Sequence, residues 1–292
     1  MEKIYFIVNP IAGAGRSAKC FKEVRDLLDS KGIDYGIAIS EYSGHAIELT
    51  KTALAAGESR IVAVGGDGTV NEVASALVGS EAVMGILPFG TGNDLCRTLD
   101  IPSDPEDALE VLLANHVRKM DAGTANGRFF LNVSGLGFDV DVLLSTEKFK
   151  KRFNGMLPYM LGLLQALFTL KRTTVKVRNG EELLDLDVLV LVAANGRYFG
   201  GGMMPAPDAD LFDGKLDICI IKSMPKLRVL SVLSRFVKGK HLDIKEVLYF
   251  QADEITVETS QAHMLELDGE VCESTPVVFR LLPGALPMLV RP

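Results

Sequence analysis

Residues 61–78 read IVAVGGDGTVNEVASALV. Ile61 to Val64 is a short apolar run of strand type, and Gly65-Gly66-Asp67-Gly68-Thr69 is a glycine-rich turn. Beyond it, Val70, Val73, Ala74, Leu77 and Val78 recur at the spacing that gathers side chains on one helix face. A strand that turns through glycines into a helix is the unit of a parallel sheet covered by helices. The same alternation runs through the first 120 or so residues. Ile4 to Val8 is a strand ended by Asn9-Pro10, and Phe21, Val24, Leu27 and Leu28 follow at helical spacing. Tyr35 to Ile39 is β-like, His45 to Ala56 helical, and Val83 to Leu87 a further strand. Ser103-Asp104-Pro105-Glu106 reads as a capping box with proline in the first turn. An α/β domain with helices on both faces of a parallel sheet is predicted for residues 1–122.

After about Asp121 the pattern changes. Phe129–Val133, Thr174–Val177, Val188–Ala193, Leu216–Ile221, Glu254–Glu258, Met264–Leu267 and Val277–Leu281 are short apolar segments parted by Gly and Asp turns. Helical stretches interrupt them at Met156–Leu170 and Lys226–Val237. A mainly antiparallel β domain with helical insertions is predicted for residues 123–284, with residues 285–292 free to return to the first domain. A cleft between two domains is then the default ligand site.

Composition narrows the function. The chain has 292 residues, 48% hydrophobic and 24% charged, which is globular in character. Its net charge of −7 gives no electrostatic support to nucleic-acid binding. Cys20, Cys96, Cys219 and Cys272 are scattered without a CxxC pair, against disulfide scaffolding or a zinc knuckle and in favour of a reducing cytoplasm. His45, His116, His241 and His263 are dispersed and none has a ligand partner four residues on. The opening MEKIYFIVNP is too short in its apolar run for a signal peptide, and Met156–Leu170 falls short of a membrane span.

The chemistry concentrates in glycine loops that follow strands. Backbone at Gly65, Gly66 and Gly68 can approach a phosphate closely, and the helix behind it offers unbonded N–H groups. Thr69 is placed to cap the helix and donate to a phosphate. Asp67 repels phosphate unless a cation intervenes, so it points to magnesium or to a catalytic role. Pro88-Phe89-Gly90-Thr91-Gly92-Asn93-Asp94-Leu95 follows the next strand. Thr91 and Asn93 offer contacts to phosphate or ribose there, whereas Asp94 can serve as a cap. Asn9-Pro10-Ile11-Ala12-Gly13-Ala14-Gly15-Arg16 is a third loop. None is the GxGxxG or GxxxxGK[ST] fingerprint.

NPIAGAG, GGDGTVNEVA and PFGTGNDL, in this order and spacing, resemble the diacylglycerol kinase catalytic domain family, and most of all its bacterial soluble lipid kinases. The likeness extends over the whole chain. It implies an ATP- and Mg2+-dependent enzyme that phosphorylates the hydroxyl of diacylglycerol or a similar lipid, with sphingosine- or ceramide-type kinases and NAD kinase as alternatives. By position it implies nucleotide contacts from Asn9, Ser40, Gly65, Gly66, Asp67, Gly68, Thr69, Asn71, Glu72 and Thr91, Ser40 standing where the family has threonine. Residues 205–217, PAPDADLFDGKLD, hold four aspartates. Read alone they are an acidic turn, and the resemblance implies a structural magnesium at Asp210, Asp213 and the Lys215 carbonyl. In Leu265-Glu266-Leu267-Asp268-Gly269-Glu270, Asp-Gly reads as a hairpin turn. The resemblance places the general base there, Glu270 ahead of Asp268, with Asp268 otherwise a metal or hydrogen-bond partner. A membrane-dissolved substrate implies peripheral attachment at the inner membrane face. Glu147-Lys148-Phe149-Lys150-Lys151-Arg152-Phe153 is the expected docking segment, or else a charged helix before a core helix. Gly200-Gly201-Gly202-Met203-Met204 either flanks lipid tails or forms a buried turn. Family likeness also raises a homodimer.

Overall fold

A computed structural model of the chain describes residues 3–150, 161–162, 165–166, 169, 172–272 and 275–292. Two compact units emerge. The first comprises residues 1–122, 211–213 and 283–292, and the second residues 123–210 and 214–282. Among the described residues no helix is long and apolar enough to cross a membrane.

In the first unit the strands β1 (Ile4–Val8), β2 (Tyr35–Ile39), β3 (Arg60–Gly65) and β4 (Val83–Pro88) alternate with the helices α1 (Arg16–Ser30), α2 (His45–Ala55) and α3 (Asp67–Leu77). Two further helices follow, α4 (Asp94–Thr98) and α5 (Pro105–Ala114). The strands pair in parallel in the order β2-β1-β3-β4. Strand residues alternate between two faces. Phe6, Val8, Val62 and Val64 meet Phe21, Val24 and Leu28 of α1 and Leu109 and Leu112 of α5. On α3 the buried residues are Thr69, Val70, Val73, Ala74 and Leu77, the predicted stripe except for Val78, which is half-buried and caps the helix end. The helix itself starts three residues earlier than that stripe, at Asp67. Likewise the cap of α5 is Asp104, not Ser103. Its carboxylate accepts from the N–H groups of Glu106 and Asp107, with Pro105 in the first turn.

Because β1 is flanked by β2 on one side and β3 on the other, chain direction across the sheet reverses between β1 and β3. The carboxyl ends of these two strands are therefore the position where such sheets usually bind ligands.

The second unit is antiparallel, as read from the sequence. It begins with the end of β5 (Val117–Ala125), then β6 (Arg128–Phe130), β7 (Val133–Gly137), α6 (Phe138–Lys150), β8 (Thr173–Asn179) and β9 (Glu182–Ala194). After these come β10 (Leu216–Lys222), α7 (Lys226–Val237), β11 (Val247–Ala252), β12 (Glu254–Thr259), β13 (Leu265–Leu267), β14 (Glu270–Cys272) and the first part of β15 (Val277–Leu289). β9 is the hub: its first half pairs with β8, and its second half with β7 and β10. Leu191 and Ala193 face a core with Val175, Ile218, Val257 and Phe279. Val190, Val192 and Ala194 face the other way, onto a second cluster with Val229, Val232 and Phe236 of α7. The predicted helix Met156–Leu170 lies mostly outside the described residues.

A histidine is shut into that second cluster. His241 is fully buried, its Nε2 3.1 Å from the Pro205 carbonyl, to which it donates, and 3.5 Å from Cys219 Sγ. Burial pushes the Cys219 thiol up to about 12, so it stays protonated. Burial likewise lowers His241 from its ordinary 6.5, outweighing the opposing Pro205 bond. The unfolded chain then binds the proton more readily than the folded one, so folding is favoured fully above about pH 6.5 and loses that share as pH falls below it. Denaturant midpoints measured from pH 8 to 5 are expected to drop on the acid side, and the drop is expected to shrink in His241→Phe.

Candidate functional site

In the first unit the three glycine loops interlock through contacts that leave no room for side chains. A Cβ on Gly90 would lie 2.2 Å from the Gly66 Cα, and one on Gly13 would lie 2.4 Å from the Phe89 carbonyl oxygen. Gly13 also sits at φ +60°, a conformation other residues rarely adopt. Gly90→Ala is expected to cost roughly 1–3 kcal/mol by forcing the loops apart. Gly68 has open space where its Cβ would be, so Gly68→Ala should leave stability unchanged or slightly raised. Paired denaturant titrations check both.

Polar side chains fix the same crossing. Asn9, at the end of β1, donates from Nδ2 to Thr69 Oγ1 at 3.1 Å, and its Oδ1 accepts from the Ile11 N–H at 3.2 Å. Asp67 accepts from the backbone N–H groups of Asn93 and Asp94, both at 2.7 Å. Its carboxylate therefore joins the β3 loop to the start of α4. Asp67 and Asp94 also flank Gly92, whose Cβ would lie 2.6 Å from one carboxylate and 3.7 Å from the other. Asn93 takes up the left-handed conformation, and its side chain folds back to accept from Gly90 N–H and donate to the Pro88 carbonyl. It holds its own loop. Glu72 accepts from the N–H groups of Gly44 and Ala46, completing the first turn of α2. Ser40 closes β2, its N–H bonded to the Val8 carbonyl. Asn71 is half-buried and Thr91 exposed. What remains open is the start of α3, where the N–H groups of Asp67, Gly68 and Thr69 precede the first intrahelical bond. The helix dipole places positive charge there, suited to an anion.

In the second unit the turn between β13 and β14 is the hairpin predicted, with Asp268 and Gly269 both at positive φ. Asp268 is spent on structure. Its carboxylate accepts from the N–H groups of Leu131, Asn132 and Val133 at 2.6, 2.9 and 3.0 Å. Its own N–H bonds to the Val133 carbonyl. Glu270 differs: its side chain is 77% exposed, with Arg128 Nη2 4.0 Å away. Sequence reading overlooked Glu266. It is fully buried, and its Oε2 accepts from the Gly269 N–H at 2.8 Å. Strand alternation could not single it out, because Leu265, Glu266 and Leu267 are all buried.

Glu266 and Gly269 line one side of a cavity of about 100 Å³. The remaining lining is almost wholly apolar, with Phe138, Leu189, Phe199, Val232 and Phe236 prominent. Gly200 and Met203 of the glycine loop also line it, where Phe199 and Met203 bond each other across the loop. Glu266 is the one charged side chain among these lining residues.

The acidic run is divided. Asp210 and Lys215 fall in the second unit and Asp213 in the first. Lys215 Nζ pairs with Asp253 Oδ1 at 2.5 Å. Among the described residues no three His, Cys, Asp or Glu side chains gather as a metal site, a count that two carboxylates and a carbonyl do not reach. All four cysteines are buried and unbridged.

Two family descriptions match. Residues 3–125 match the diacylglycerol kinase catalytic domain. Residues 132–290 match the YegS C-terminal NAD kinase beta sandwich-like domain. The chain is 28% identical to a diacylglycerol kinase of Bacillus subtilis over 92% of its own length and 90% of that protein's. It is 33% identical to a "Probable lipid kinase YegS-like" of Chromohalobacter salexigens, over 93% and 89%. A crystal structure of a diacylglycerol kinase from Bacillus anthracis superposes with a TM-score of 0.80 at 25% identity, covering 100% of this chain and 97% of that one.

Proposed function

Since the chain belongs to the family of diacylglycerol kinases and YegS-like lipid kinases, we propose that it transfers the γ-phosphate of ATP to the hydroxyl of diacylglycerol, giving phosphatidic acid and ADP. The observation that carries this choice of acceptor is the cavity of the second unit, an apolar slot whose lining includes one carboxylate, Glu266, and Gly269 of the β13–β14 turn. A diacylglycerol has that polarity: hydrocarbon chains with one hydroxyl at the end.

The nucleotide's phosphates rest on the α3 N-terminus, with Gly65, Gly66 and Gly68 permitting close approach and Thr69 and Thr91 donating. Asn9 sets Thr69 in place. Ser40, Asn71 and Glu72 lie beyond the phosphates on β2 and α3. Asp67 and Asp94 fit a magnesium ion arriving with ATP, because two carboxylates converge around a glycine with no space for a side chain. That ion would neutralise phosphate charge.

Phosphoryl transfer needs position and charge stabilisation more than covalent help. The lipid oxygen forms its bond to the γ-phosphorus as the bond to the bridging oxygen of ADP breaks. The hydroxyl proton passes to Glu270, whose side chain is 77% exposed. Asp268 keeps the turn in register, since its oxygens already hold three N–H groups. The enzyme works at the cytoplasmic membrane surface, where its substrate is dissolved.

An acceptor series tests the substrate. Diacylglycerol, monoacylglycerol, ceramide, sphingosine, phosphatidylglycerol and NAD are each given with ATP and magnesium, and products are identified by mass spectrometry. Phosphatidic acid is expected to dominate. A dominant sphingosine or ceramide phosphate would replace the acceptor, and NADP would remove the lipid reading.

A further inference from the structure

Helix α7, Lys226–Val237, turns Val229, Val232, Leu233 and Phe236 to the cavity. Three further apolar side chains on its outer side are not explained by that packing. Leu227 is 84% exposed, Leu230 48% and Val237 39%. At 100° per residue these three fall within an arc of about 80°, with Ser234 among them, and the arc adjoins Leu233 of the inward face. The outer residues therefore border the cavity-lining side of the same helix.

Charge surrounds this face with one sign. Residues 222–246 contain Lys222, Lys226, Arg228, Arg235, Lys238, Lys240 and Lys245 against two carboxylates, Asp243 and Glu246, in a chain whose net charge is −7. Those two carboxylates pair with Arg235 and Arg228 on the helix flank and brace it. Lys238 and Lys240, just past the helix end, are exposed.

We propose that the outer face of α7 is the surface by which this protein lies on an anionic lipid bilayer. Leu227, Leu230 and Val237 enter the headgroup region, and the surrounding lysines meet lipid phosphates. A second copy of the chain is the poorer occupant. A two-fold interface sets a patch against itself, and here that would press two strongly cationic surfaces together. The inference rests on the lipid-kinase reading for its purpose, because a bilayer against α7 would present acyl chains beside the slot that receives them. It also adds a docking element distinct from Glu147–Phe153, of which residues 151–153 lie outside the described residues.

Vesicle sedimentation tests it, with phosphatidylcholine vesicles containing or lacking phosphatidylglycerol. The wild type is expected to bind the anionic vesicles. Leu227→Asp/Leu230→Asp is expected to lower that binding at least ~10-fold. Lys238→Glu/Lys240→Glu should weaken it and flatten its salt dependence. Both variants should keep the wild-type melting temperature and the wild-type rate toward dihexanoylglycerol dispersed as monomers. Unchanged vesicle binding in both variants would overturn the proposal, as would a wild type that binds no vesicle. Loss of a wild-type dimer with vesicle binding intact would reassign the face to contact between copies. If the variants lose binding while the wild type phosphorylates no glycerolipid at all, the docking surface stands and the substrate reading fails.

Discussion

Glu270→Gln is expected to lower turnover by ~10²–10⁴-fold, the usual share of a positioned acid or base. ATP affinity, measured by calorimetry, is expected to stay within twofold, because Glu270 belongs to the second unit and the phosphate loops to the first. Stability should move by less than about 0.5 kcal/mol, since the side chain is 77% exposed and its ionic neighbour among the described residues, Arg128, is 4.0 Å away. The substitution removes a carboxylate and keeps the shape, so the loss should appear in kcat and not in KM for the lipid. Full activity in Glu270→Gln would move the proton-accepting role elsewhere.

Asp268→Ala is expected to produce the reverse pattern, a loss of stability that precedes any question of chemistry. Three backbone N–H groups, of Leu131, Asn132 and Val133, would lose their acceptor, and all three residues are buried. At about 1 kcal/mol or more for each orphaned donor the cost reaches roughly 3 kcal/mol. The β13–β14 turn would also lose its tether to the start of β7. Activity should fall with it, because Glu270 stands directly after that turn. Asp268→Asn retains one acceptor oxygen and should lie between wild type and alanine in denaturant midpoint. If Asp268→Ala unfolds at the wild-type midpoint yet loses all turnover, Asp268 is the base and not the brace.

These two residues show how far sequence reading went. The D-G-E motif and its hairpin were legible because Asp-Gly after an alternating strand has a local conformational cause. The role of Asp268 was not legible, since it depends on residues 131–133 arriving from elsewhere in the chain. Asp67 is similar. Its position among phosphate-binding glycines was evident, but its bonds to the N–H groups of Asn93 and Asp94 belong to the meeting of two loops. The resemblance gives Glu72 to the nucleotide and the loop chemistry gives it Asn93, while the backbone bonds that each also makes within its own unit depend on the meeting of loops. The parallel sheet, by contrast, follows from the local alternation of strand and helix patterns along the first 120 or so residues.

The elements missed have physical reasons too. β5 carries Arg118, Lys119 and Asp121 and so lacks an apolar rhythm. Its fixed place comes from pairing, with Asp121 bonded to Gly284 N–H and to the Leu211 carbonyl. β11, VLYFQA, is apolar enough but carries no strict alternation of apolar and polar residues. Val277–Leu281 is the last strand that the sequence pattern predicts, whereas β15 runs on to Leu289 through Pro283 and Gly284. Both residues normally interrupt a ladder, and here they mark the point where the strand leaves one unit for the other.

The most direct measurement is the transfer of γ-labelled phosphate from ATP to diacylglycerol in mixed micelles, with wild type, Glu270→Gln and a magnesium-free control run together. Label in phosphatidic acid is predicted, in step with ADP release, dependent on magnesium and nearly abolished in the variant. ADP release with no label in any lipid, or equal label in wild type and Glu270→Gln, would contradict the account.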